Sequence, residues 1–136
     1  MAEYAEIIVA FTARVFLGLL FFFQGYDKVF NVKISGVVRT FEQPYRQTRL
    51  PMFVLYAGAI VTSFIELIGG LLLILGLFKY ITLYFLAFDL LIATAGLSLM
   101  NPMWDPKFSF PRLAILIFLL VIPQEWDQWM LDKWLN

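Results

Sequence analysis

The chain has 136 residues, of which 62% are hydrophobic, 18% aromatic and only 15% charged. A soluble domain is closer to about 45–50% apolar and about 25% charged, so this chain lacks the polar surface to cover a soluble globule. Ten basic and ten acidic residues cancel, which excludes the basic footprint of a nucleic-acid binder. The sequence contains no Cys and no His. That removes disulfides, thiol redox chemistry, His-ligated haem, structural zinc and the usual Ser-His or Cys-His nucleophiles. No metal site and no covalently bound cofactor is expected, and any redox role needs a diffusible cofactor such as a quinone.

The N-terminus, MAEYAE, is acidic and lacks the basic region of a secretory signal, so the first apolar run reads as a retained span. A membrane helix needs about 20 mostly apolar residues to cross about 30 Å of hydrocarbon. Spans are expected at about 7–30, 52–78, 80–100 and 108–123, the last short. All 136 residues fit a single four-span domain. Between the first two spans, NVKISGVVRTFEQPYRQTRLP predicts a short surface helix near 35–42 that Pro44 should break. Pro51 suits the start of the second span. A tight turn at 76–80 places Lys79 at the membrane surface, and the proline-rich NPMWDPKFSFP forms an irregular third connection.

After the fourth span, QEWDQWMLDKWLN predicts an amphipathic interfacial helix at about 125–135, with Trp126, Trp129 and Trp134 as interfacial anchors. Tyr45, Tyr80 and Trp104 read as further anchors. Lys28, Lys33, Arg39, Arg46, Arg49, Lys107 and Arg112 flank the first and third connections, which places those connections in the cytoplasm and both termini outside.

Each of the first three spans carries one narrow polar-and-small stripe. Arg14, Gly18, Phe21, Gly25 and Lys28 share a face of the first. Gly58, Thr62, Glu66, Gly69 and Gly76 share one on the second, and Asp89 and Gly96 lie on that of the third. Gly18, Gly25, Gly69 and Gly76 are the expected helix-packing positions. A charge at the bilayer centre costs about 2.5–3.5 kcal/mol even on insertion scales. Arg14, Glu66 and Asp89 are therefore expected to form one buried cluster. One cation against two carboxylates leaves −1, which either a proton or a fourth group must neutralise. Gln24, Tyr26, Lys28 and Arg112 are candidate contacts for a quinone head group or a partner. The fold class is an all-α integral membrane four-helix bundle with a C-terminal interfacial helix. A buried cluster of this kind serves equally well to fix helix register or to move protons.

The pattern Arg14-x3-Gly18 … Gly25-x2-Lys28 followed by Glu66-x2-Gly69-Gly70-Leu71-Leu72-Leu73-x-Leu75-Gly76 resembles the DoxX/DoxD family of small four-span membrane proteins. The resemblance implies a compact bundle in a bacterial cytoplasmic membrane. It carries over to Arg14, Gly25, Lys28, Glu66 and Gly69, whereas Asp89 rests on physical grounds alone. The small size, the absence of metal ligands, the lipid-facing aromatics and the amphipathic tail favour an accessory or structural subunit of a larger redox or respiratory-type membrane complex over an enzyme acting on its own. The alternatives are a quinone-interacting subunit of thiosulfate:quinone type and a small proton-coupled carrier or membrane chaperone. Expected partners are the lipid bilayer and either a larger complex or further copies of the chain; no nucleic acid is expected.

Overall fold

A computed structural model describes residues 2–101, 103, 107 and 109–135, whose regular structure is helical, with no strand among the described residues. Helix α1 spans Ala2–Tyr26, α2 Lys33–Arg46, α3 Met52–Leu75, α4 Lys79–Met100, α5 Phe110–Val121 and α6 Leu131–Leu135. Three stretches are long and apolar enough to cross a membrane: Tyr4–Asn31, Met52–Leu75 and Lys79–Met100. The fourth apolar helix, α5, has 12 residues and covers about 18 Å, less than the expected 108–123 segment would span. Phe108 and the Trp104 anchor position lie outside the described residues.

The axis of the fold is the α1–α3 pair, the most extensive helix contact in the chain. Glycines set its closeness. A Cβ on Gly18 would sit 2.9 Å from the Gly70 carbonyl oxygen. A Cβ on Gly25 would collide with the Leu67 backbone, and one on Gly70 with the Phe22 backbone. Small residues let backbones approach where lipid gives no hydrophobic drive to associate. Gly69 instead faces Leu86 of α4 at 3.1 Å. Gly76 ends α3 in the left-handed region, φ +74°, which glycine adopts without steric cost, and it packs against the C-terminal segment, where an added Cβ would lie 2.8 Å from Met130 Cα. Gly70, not among the expected packing positions, packs as closely against α1. Gly58 and Gly96 have no atom within 4 Å of an added Cβ, so those two stripe positions face open space.

The main core gathers Leu17 and Phe21 of α1, Leu73 of α3, Leu83 and Leu86 of α4, and Leu116 and Leu119 of α5. A second cluster fills the other end, where Val37, Val38 and Tyr45 of α2 meet Leu55 and Ala59 of α3. Tyr45 is thus buried rather than interfacial, and its hydroxyl donates to the Pro51 carbonyl at 2.9 Å. This burial accounts for α2 running through Pro44 to Arg46 instead of breaking there. Pro44 falls in the last turn, where a missing N–H costs one helical hydrogen bond at most.

Between α1 and α2 the chain widens into a π turn, Asp27–Asn31, closed by Val32 N–H donating to the Asp27 carbonyl at 2.7 Å. Beyond α5, the expected continuous interfacial helix is absent. A short 3₁₀ turn, Gln124–Trp126, is followed by non-helical residues and then by α6.

Candidate functional site: two separate groups of buried charges

Arg14, Glu66 and Asp89 are all buried, as the membrane cost of a charge demands. They do not form one cluster. Arg14 lies at the end of the bundle that holds the α3–α4 turn and the C-terminal segment. Its Nε donates to Asp127 Oδ1 at 3.1 Å. Its terminal nitrogens donate to the carbonyls of Leu73, Ile74 and Trp129. Leu73 and Ile74 belong to the last turn of α3, where carbonyls lack helical partners and the dipole is negative. The guanidinium therefore caps one helix and ties the C-terminal segment to it. Lys79 joins from the first residue of α4, its Nζ 3.0 Å from Asp127 Oδ2. Lys79 is 3% exposed and so is not a surface lysine.

Asp127 is the residue sequence reasoning missed. It sits between tryptophans in a segment that reads as interfacial, yet it is 2% exposed and serves two cations. A signal was present: Arg14, Lys79 and Asp127 all fall on the terminus side of the alternating spans, and two cations on that side call for an anion. The tryptophans differ among themselves. Trp126 is half-buried and packs against the main core. Trp129 meets Phe11 edge-on at a centroid distance of 5.4 Å. Trp134 is exposed.

Glu66 pairs with Lys28 instead of Arg14. Lys28 Nζ stands 3.1 Å from Oε1 and 3.0 Å from Oε2. The lysine reaches inward because Gly25, one turn earlier, brings α1 against Leu67 of α3. Arg14 cannot serve both places: its contacts on α3 are at Leu73 and Ile74, about 10 Å along the helix from Glu66 at 1.5 Å per residue. Asp89 faces Glu66, and Lys28 and Arg112 are the cations nearest to it in charge interaction. Neither Asp89 oxygen receives a hydrogen bond. Arg14, the cation expected to neutralise these carboxylates, takes no part in this group, and Lys28 takes its place beside Glu66.

Of the other candidate contacts, Gln24 turns its Oε1 inward, where it finds no hydrogen-bond donor. Tyr26 is 42% exposed and packs beside Phe22 and Phe30, so it does not face the charged interior. Arg112 lies over the Phe21 ring at 6.0 Å. Among the described residues, no group of three or more Asp and Glu side chains is arranged to hold a metal ion.

The DoxX family model matches residues 9–99, which include Arg14, Lys28, Glu66 and Asp89 but not Asp127. No curated protein and no solved structure matches the chain.

Proposed function

The chain belongs to the DoxX family, and we propose that it works as an accessory, scaffold-like subunit of a larger membrane complex of redox or respiratory type. The observation that carries this reading is how the Arg14 group is spent. Its guanidinium is wholly buried and committed to Asp127 and three backbone carbonyls. Such an arrangement fixes helices and a chain end relative to one another, as buried polar groups can. Outside, Ile81, Tyr84, Phe85, Phe88 and Leu91 form one strongly exposed apolar stripe on α4, at spacings that keep them on one side. A larger subunit can pack along that stripe by van der Waals contact. The test is mild solubilisation of native membranes followed by native electrophoresis and mass spectrometry. A larger assembly of fixed stoichiometry is expected; a discrete species holding this chain alone sinks the proposal.

A second reading is favoured by Asp89. Its carboxyl oxygens lack donors in the interior of the bundle, near Glu66 and Lys28. A quinone head group wants a few polar anchors in an apolar setting, and this group could supply them. Purified protein that carries quinone, and loses it on Asp89→Asn, would support this reading. Protein purified without quinone from quinone-rich membranes would count against it.

A further inference from the structure

We propose that the outer face of α2 is a docking surface for anionic phospholipid headgroups. Val37, Val38 and Tyr45 of this helix turn inward onto Leu55 and Ala59 of α3. Arg39, Gln43 and Arg46, at i, i+4 and i+7, share the opposite face and are exposed. Lys33 begins the helix and Arg49 follows it, both exposed as well.

The charges of this segment do not cancel. Residues 27–51 hold five basic and two acidic side chains. Lys28 turns inward to Glu66 at 3.0 Å, and Arg46 pairs with Glu42 at 2.6 Å. Asp27 accepts from the Asn31 side-chain amide at 2.7 Å. Lys33, Arg39 and Arg49 are left with no ion pair among the described residues. Those three cations against Asp27 give a surplus of +2. Lys33 and Arg49 also stand in the left-handed region, φ +67° and +61°, which sterics disfavour in any residue with a Cβ. The fold thus holds an unpaired cation at each end of α2, although neither gains a partner within the chain.

Position selects a lipid as the occupant. Helix α2 packs beside Met52 and Met100, which are the ends of two membrane-crossing helices, and it follows directly on the first such stretch, which ends at Asn31. Three ends meeting here mark one membrane face, so the cations stand at headgroup level. Phe30, Val32, Leu50 and Phe53, close to Lys33 and Arg49 in sequence, are exposed. Exposed apolar side chains next to unpaired cations match acyl chains lying under phosphates. An anionic membrane surface attracts each nearby Lys or Arg, and a guanidinium meets phosphate oxygens in pairs. This surface does not depend on the subunit reading, which uses a stripe on α4.

The test uses the full-length protein in detergent, offered equal amounts of phosphatidylglycerol and phosphatidylcholine with the same acyl chains. Bound lipid is counted by native mass spectrometry. Phosphatidylglycerol is expected to bind at least about fivefold more tightly, the value of one cation near an anionic membrane surface. Lys33→Gly and Arg49→Gly remove charge while suiting the left-handed backbone, and Arg39→Gln keeps a good helix former at an exposed position, so the triple variant stays folded. It should lose the preference. Lys133→Gln, at the opposite end of the bundle, should keep it. Equal binding of the two lipids by the parent, a preference that survives in the triple variant, or one that is lost equally in Lys133→Gln overturns the proposal. In native membranes, Gln43→p-benzoylphenylalanine should photo-crosslink to lipid. Crosslinking to a protein instead overturns the lipid as the occupant of this face.

Discussion

Arg14 and Asp127 lie 113 residues apart in sequence and meet at 3.1 Å, with side chains 0% and 2% exposed. The pair joins the first membrane helix to the segment after the last one. Lys79 shares the same carboxylate, so the three positions are energetically unequal. Asp127→Asn would leave two buried cations without an anion and should cost about 3–5 kcal/mol, the usual cost of breaking a buried pair from one side. Lys79→Met should cost far less, because Arg14 still neutralises Asp127. Thermal or denaturant unfolding in detergent checks the order. Equal destabilisation by the two variants would mean that the shared-carboxylate geometry is wrong.

The second charged group predicts a rescue. Lys28→Met leaves Glu66 buried without its cation, and Glu66→Met leaves the partly buried Lys28 without its anion. Each single change should destabilise by about 3 kcal/mol or somewhat less, since Lys28 retains some access to solvent. The double change removes both charges and should recover most of the loss, as apolar replacement of a buried pair often does. A double-mutant cycle reads the coupling directly. Losses that simply add would show that the two side chains do not interact.

Much of this was legible in the sequence. The stripe Arg14, Gly18, Phe21, Gly25 and Lys28 faces inward as helical spacing requires, because a 3.6-residue period and the cost of charge in lipid act on every membrane helix. The depth of each charge was not legible. Arg14 and Glu66 share no level because α1 is displaced along α3, with Arg14 opposite Leu73 and Gly25 opposite Leu67. That offset is set by glycine contacts between helices, which the spacing within one helix does not contain. Asp127 was hidden for a related reason. Its neighbours suggested an interfacial helix, and only the folding back of the chain end onto α1 reveals what the carboxylate serves.

Glycine positions that look alike in sequence should respond in opposite ways. Gly25→Ala would drive a Cβ into the Leu67 backbone, and because backbone cannot swing aside, the α1–α3 crossing must open. Overpacking of this kind costs about 1–3 kcal/mol or more. Gly96→Ala meets nothing within 4 Å and removes a flexible residue from the interior of α4, so it should be neutral or stabilise by up to about 1 kcal/mol. Comparing melting temperatures of the two variants with the parent decides the matter. A tolerated Gly25→Ala would contradict the close approach of α1 to α3.

Asp132 and the α3–α4 turn hold each other from both sides. The carboxylate accepts from Phe78 N–H at 2.7 Å, and the Asp132 N–H donates to the Gly76 carbonyl at 3.2 Å. The side chain thus acts as a cap delivered from a distant part of the chain, satisfying an N–H just ahead of α4. Replacing a capping side chain by Ala typically costs about 0.5–2 kcal/mol. Asp132→Ala keeps the backbone bond and the Arg14–Asp127 pair, so the bundle should stay folded while α6 loosens. Limited proteolysis should then cut at 131–135 well before the membrane helices unfold, and amide exchange at Phe78 should accelerate. Unchanged protection at both places would mean that α6 is held by its apolar contacts alone, with Leu131 and Trp134 sufficient to keep it seated.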